Sequence, residues 1–292
     1  MKVRLIIWCA ACLAISVIVF SELWAKLPQW FSPEGLQRQG VFHWGVLGLC
    51  ILWLWLKRKS ILPGMQAYKL SLPFITAGVA LVSLSVFMPG SDDFLLFLML
   101  MGWLGLFALL FTVASIIPSI LLAIYGFSLF FPLLMNGWSG DLAAMLVTNT
   151  VTGITRTFGL PITNDGAIIH FTSLSGGTVS TAIAPGCAGY ATIGVFIALF
   201  ALMMLDIRLP LKRAWYIFLI GLAGTWLQNI IRIVISIAAG HYWGAGALEA
   251  MHYNAGYVIF PLWYALFVYI YLWRASWSRI PVKVKSIDCL QC

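Results

Sequence analysis

The sequence predicts an all-α polytopic membrane protein with about eight transmembrane helices, a small extracytoplasmic β-hairpin or meander and a surface helix. Three observations predict it. Of 292 residues, 62% are hydrophobic and only 9% are charged, whereas soluble domains carry about 25% charged residues, so a water-solvated surface cannot be built. Apolar runs of spanning length, about 20 residues, recur along the whole chain. The net charge of +8 comes from Lys and Arg clustered beside those runs, as in cytoplasmic loops, and needs no nucleic-acid partner to explain it. About eight spans leave roughly 130 residues for loops, so residues 1–292 read as a single integral membrane domain with the lipid bilayer as its solvent.

The first run, Leu5 to Phe20, follows Lys2 and Arg4 as a signal peptide would. No small-x-small cleavage site precedes Lys26, so it is read as a retained span. Val41 to Leu56 is the second, closed by Lys57, Arg58 and Lys59, and Leu70 to Met88 the third, closed by an acidic turn from Pro89 to Asp93. Phe94 to Thr112 and Ile116 to Leu134 follow as a close pair, interrupted around Ser115 and Pro118. Residues 136–185 then turn to Gly, Thr, Ser and Asn and form the expected extracytoplasmic insertion between spans five and six. It opens with a helical pattern (Leu142, Met145, Leu146, Asn149) suited to the membrane surface. Asp165-Gly166 between short apolar runs then signals a hairpin, and Gly177 to Ile183 a further strand. Spans six to eight are Gly186 to Leu205, Trp215 to Gly240 and Tyr253 to Trp273, and residues 274–292 form a short basic tail.

Threading these spans with the N-terminus inside puts 13 of the 17 basic residues in the cytoplasm, against Lys26, Arg38 and Arg156 outside. The positive-inside rule therefore predicts a plasma (inner) membrane protein with both termini cytoplasmic. Arg232 is left over, inside span seven. A rise of 1.5 Å per residue from Tyr216 places it about 24 Å up, in the outer third of the bilayer. A charge there costs at least about 2.5 kcal/mol unless partnered. It is either a structural arginine that snorkels or part of a site, and Asn229 shares its face.

The topology disperses the six cysteines. Cys9 and Cys12 start span one, Cys50 is near mid-bilayer, and Cys289 and Cys292 end the tail, which leaves Cys187 at the outer face. It follows Ala184-Pro185-Gly186 at the start of span six, where helix amides and dipole favour a thiolate, with Gly186 and Gly189 leaving space beside it. Read alone, it is a small buried residue filling a helix start. His43, His170, His241 and His252 all fall outward of the midplane; His252 immediately precedes the last span, with Gly256 one turn later. A thiol nucleophile needs a base, and an acyl-transfer oxyanion needs a donor. Cys187, His252 and Arg232 supply these roles at one membrane level. His-Glu-x-x-His, Gly-x-Ser-x-Gly and a phosphate-binding Gly-rich loop are absent, and the nine acidic residues lie in loops or near span ends. Metalloprotease, serine hydrolase, ATPase, aspartyl protease and proton pump lose support. No cofactor or metal is expected.

In order and side of the membrane these residues resemble the exosortase/archaeosortase family of multi-span membrane transpeptidases. The resemblance runs through Thr152-Gly-Ile-Thr-Arg156-Thr-Phe-Gly159-Leu-Pro161, Cys187-Ala188-Gly189, Asn229-Ile-Ile-Arg232, and His252 with Gly256. It spans about Leu142 to Phe260, and Ala188 stands where the family more often has Ser. It implies a catalytic set of Cys187 as nucleophile, His252 as general acid/base and Arg232 as oxyanion stabiliser, with Asn229, Gly189 and Gly256 supporting. It also implies substrates that are membrane-anchored exported proteins with a C-terminal sorting signal, made of a short motif, one membrane helix and a basic end. Two other readings use the same spans. One is a non-enzymatic component of a polysaccharide export or assembly complex; the other is a membrane acyltransferase that uses an outer-face His as base.

Overall fold

The computed structural model describes residues 2–30, 41–61, 63, 71–88, 94–174 and 176–276. The acidic turn from Pro89 to Asp93, Arg38, Lys69 and the tail beyond Ser276, with Cys289 and Cys292, lie outside these residues. The helices are α1 (Lys2–Val19), α2 (Ser21–Trp30), α3 (Val41–Leu56), α4 (Arg58–Ile61), α5 (Leu72–Phe87), α6 (Leu95–Phe111), α7 (Ile116–Thr157), α8 (Tyr190–Asp206), α9 (Leu211–Trp243) and α10 (Ala245–Ser276). Three strands, β1 (Ile162–Asp165), β2 (Ile168–Thr172) and β3 (Thr178–Ala182), lie between α7 and α8.

Each apolar run expected to span is helical, but length and composition alone qualify four stretches among the described residues. These are Lys2–Val19, Leu95–Thr157, Leu211–Trp243 and Ala245–Ser276. His43–Leu56, Leu72–Phe87 and Tyr190–Asp206 are apolar but shorter. At 1.5 Å per residue, 16 or 17 helical residues cover only about 25 Å, less than the hydrocarbon thickness of about 30 Å. The expected fourth and fifth spans fall together in Leu95–Thr157, broken by a 3₁₀ turn at Thr112–Ser115 where Thr112 takes φ 44°. The interruption therefore comes just ahead of Pro118, which sits in the first turn of α7.

The expected surface helix is not a separate element. Residues 136–157 continue α7, a single helix of 42 residues, because no proline follows Pro132 until Pro161. Its length of about 63 Å exceeds the hydrocarbon core twofold, so part of it must project into water. The helix stops in a Schellman motif: Gly159 adopts φ 80°, its N–H bonds to Arg156 O at 2.9 Å, and Leu160 N–H bonds to Thr155 O at 3.2 Å.

The chain divides into two compact units. The first comprises Met1–Leu146 and Ile183–Leu202. Here α5 and α6 approach through glycine: a Cβ on Gly78 or Gly105 would lie 2.8 Å from the other's carbonyl oxygen, the small-residue contact on which lipid-embedded helices rely. Trp8 Nε1 donates to Trp103 O (3.1 Å) and Trp103 Nε1 to Ser16 Oγ (2.7 Å), which ties α1 to α6.

The second unit comprises Val147–Ala182 and Met203–Cys292. Its frame is the α9–α10 hairpin, joined by Gly244 at φ 91°. Close approach again depends on glycine, since a Cβ on Gly224 would stand 1.9 Å from the Trp263 ring. Trp263 Nε1 donates to Thr225 Oγ1 at 3.0 Å beside it. The antiparallel sheet has order β1-β2-β3. The two-residue loop Gly166-Ala167 closes on the pair Asp165↔Ile168, with positive φ at Gly166 and not at Ala167, as a type II′ turn requires. Ile162, Ile169 and Phe171 are buried on one face. Phe171 meets α9 at Gly240, where a Cβ would come within 2.9 Å of its ring. His241 Nδ1–H donates to Thr172 O at 2.8 Å, while Leu174 N–H and Ser173 Oγ donate to His241 O at 2.8 and 3.1 Å.

Gly224→Ala forces the Trp263 ring out of its slot and is expected to destabilise the protein by about 1–3 kcal/mol. Gly153→Ala, at a helical position with open space around it, is expected to be neutral or to stabilise by up to about 1 kcal/mol. Unfolding midpoints in detergent micelles check both.

Candidate active site

In α9, residues Asn229 and Arg232 lie one turn apart, and the geometry follows from that spacing. Arg232 Nη2 donates to Asn229 Oδ1 at 3.1 Å, and Asn229 is completely buried. The guanidinium carbon stands 5.8 Å from the centre of the Phe260 ring on α10, within the reach of a cation–π contact. Phe260 is itself completely buried. A hydrogen-bond acceptor and an aromatic face thus compensate the charge in an apolar helical hairpin, where desolvation would otherwise be costly.

His252, Gly256 and Phe260 follow each other at four-residue spacing on α10, so they share a face. An ideal Cβ on Gly256 would sit 3.5 Å from Arg232 Cδ and 3.6 Å from the Phe260 ring. The arginine stem thus passes beside Gly256 at ordinary van der Waals distance. Arg232, His252, Asn229 and Gly256 thus belong to one unit. One detail differs: α10 starts at Ala245, so His252 sits about two turns inside the helix and does not precede it. Residues 245–251 lack proline and carry Ala, Leu and Glu, which favour helix.

Cys187 belongs to the other unit. It lies in a 3₁₀ turn, Pro185–Ala188, and its N–H bonds to Ala184 O at 2.8 Å. It is half-buried. Gly189 takes a left-handed conformation, φ 95°, and its carbonyl accepts the first helical bond from Ile193 (3.0 Å) and another from Thr192 Oγ1 (2.8 Å). Cys187 therefore precedes α8 in a separate turn and does not occupy the helix start expected from the sequence; proline at 185 and the αL glycine divide the two. The turn is packed on α7. A Cβ on Gly140 would fall 2.7 Å from Pro185 Cβ, Ser139 and Tyr190 hydroxyls are 2.7 Å apart, and Tyr190 meets Phe131 edge to face.

Sequence reasoning missed Phe260 as the aromatic support of Arg232, although its four-residue spacing from Gly256 was visible. It also left His241 undistinguished from the other histidines, and only its three hydrogen bonds to the sheet segment reveal a structural role. Among the described residues no three His, Cys, Asp or Glu side chains converge as a metal site.

A polytopic helical protein with an arginine and a histidine inside one membrane-type hairpin and a cysteine on a glycine-flanked turn is the class defined by these features. The chain belongs to the transmembrane exosortase family, whose model matches residues 8–269. This makes it a membrane protein of a transpeptidase-type family. No curated protein and no solved structure matches it.

Removing the Asn229 carboxamide leaves a partly buried guanidinium N–H without that acceptor. Asn229→Ala is expected to cost about 1–3 kcal/mol, read as a lower thermal midpoint in detergent.

Proposed function

We propose that the protein is a membrane cysteine transpeptidase acting on exported proteins that end in a short motif, one membrane helix and a basic tail. Cys187 is the nucleophile, His252 the general acid/base and Arg232 the oxyanion donor. The observation that carries this reading is the setting of Arg232: an intramembrane charge, held by Asn229 and Phe260, in the same helical hairpin that carries His252. A charge kept in that setting marks a candidate functional site. Family membership supports the assignment of Cys187.

In the proposed reaction His252 takes the proton of the Cys187 thiol, and the sulfur attacks the scissile carbonyl. Arg232 neutralises the tetrahedral oxyanion. As the C–N bond breaks, His252 returns the proton to the leaving amine, and the substrate remains as a thioester on Cys187. An acceptor amine then attacks the thioester, loses its proton through His252 to the departing thiolate, and forms the new amide. Water in place of the amine gives hydrolysis.

The proposed topology has eight crossings, both ends in the cytoplasm, residues 136–185 outside and the reactive groups near the outer surface of the plasma membrane. The distribution of basic residues supports this orientation. The three-stranded sheet lies in water, because its exposed strand carries polar side chains and open backbone groups that hydrocarbon would not tolerate.

Cys187→Ala is expected to leave a co-expressed host protein of this architecture at full length in cells, as seen by immunoblotting. Arg232→Gln is expected to slow its shortening by about 100- to 1,000-fold. Continued shortening in the Cys187→Ala strain would overturn the assignment, and tolerance of changes at Cys187, His252 and Arg232 alike would favour a scaffold role. A membrane-impermeant maleimide added to intact cells should label Cys187 and spare Cys289 and Cys292 of the tail; the opposite pattern reverses the topology.

A further inference from the structure

The sheet has two edges, and they are treated differently. A two-residue loop closes on the hydrogen-bonded pair Asp165↔Ile168. Alternation along an antiparallel ladder then directs the N–H and C=O groups of Ile162 and Asn164 away from β2 on the β1 edge, and those of Thr178, Ser180 and Ala182 away from β2 on the β3 edge.

The β1 edge is covered by the end of α7. Arg156 Nε donates to Ile162 O at 2.9 Å, and Asn164 Nδ2 donates to Asn149 Oδ1 at 3.0 Å. The β3 edge has no such cover among the described residues: Thr178, Ser180 and Ala182 are exposed, and their backbone groups make no hydrogen bond beyond the ladder. Edges are normally guarded by lysine, proline, a bulge or an overlying element. The strand Thr178-Val-Ser-Thr-Ala182 has neither lysine nor proline and pairs with β2 in unbroken register.

An open, unguarded edge of this kind accepts an extended peptide as an added strand, with affinity from main-chain hydrogen bonds. The chain leaving β3 runs through Ile183, Ala184, Pro185 and Gly186 directly to Cys187. We propose that the free edge of β3 receives the extended segment of the substrate that precedes its membrane helix, pairing with the backbone of Thr178, Ser180 and Ala182. This rests on the reading of Cys187 as nucleophile. Recognition through the main chain requires an extended, proline-poor segment and leaves sequence preference to alternate side chains.

The test uses the full-length enzyme in membranes, with a host protein of the stated architecture as probe. Ser180→Pro deletes one outward N–H at an edge position that proline tolerates. Ser180→Ala keeps that N–H but loses the hydroxyl and its 2.7 Å contact with His170 Nδ1, so the pair isolates the backbone donor. Shortening of the probe is expected to be about tenfold slower for Ser180→Pro than for Ser180→Ala, the loss of one hydrogen bond. Cys187-dependent shortening at equal rates in the two variants overturns the edge proposal alone. Shortening that persists in Cys187→Ala overturns the nucleophile and takes this proposal with it.

Should Ser180→Pro fail to fold, hydrogen exchange on the Cys187→Ala protein decides. The amides of Thr178, Ser180 and Ala182 are expected to slow on adding the probe, and unchanged exchange overturns the proposal. Protection that instead rises with enzyme concentration in the absence of probe assigns the edge to a second copy of the chain, and overturns it equally.

Discussion

A positive charge inside an apolar helical hairpin is the constraint that organises the second unit. Arg232 cannot be left bare there, and its compensation draws on three separate positions. Asn229, one turn earlier on the same helix, accepts a hydrogen bond. Phe260, on the antiparallel partner, offers its ring face. Gly256, on the same partner helix, is the residue the arginine stem passes. The contacts that lower the cost of the charge also restrain the guanidinium, as the oxyanion role proposed for Arg232 requires.

Glycine has the same job in both units. Helices in lipid gain no hydrophobic free energy from meeting one another, so their association depends on backbone approach and side-chain hydrogen bonds. The Gly78–Gly105 contact and the Gly224–Trp263 contact are two versions of this solution. The indole N–H in the second finds Thr225, so the ring is anchored by shape and by a polar bond. At Gly189 glycine acts differently: its left-handed conformation ends the cysteine turn before α8 begins. The sulfur is thereby carried on a short turn packed against α7 through Gly140 and Pro185, outside the regular helix.

The sheet illustrates how a soluble-type element serves a membrane protein. It is fastened to the end of the α9–α10 hairpin by Phe171 at Gly240 and by the hydrogen bonds of His241. One edge is closed by side chains from the last turns of α7, and the other stays open. This asymmetry follows from the Schellman motif at Gly159, which turns the chain so that Arg156 and Asn149 lie along β1.

Much of this was legible in the sequence because its signals are local. Charge depletion and apolar run length define a membrane protein whatever the tertiary packing. Gly166 and the alternating pattern around it specify the hairpin. The Asn229–Arg232 spacing places the acceptor beside the guanidinium. Other features depend on residues far apart in sequence. The continuity of α7 past Leu134 was hidden because Gly137 and Gly140 resemble a loop, whereas in the fold Gly140 is where Pro185 packs. Phe260 became the support of Arg232 only when the hairpin closed, and the two edges of the sheet differ only because α7 lies along β1. Periodicity along a chain records which face of an element is apolar, but not which neighbour fills that face, and contacts between neighbours decide where a charge or an unpaired backbone group can be kept.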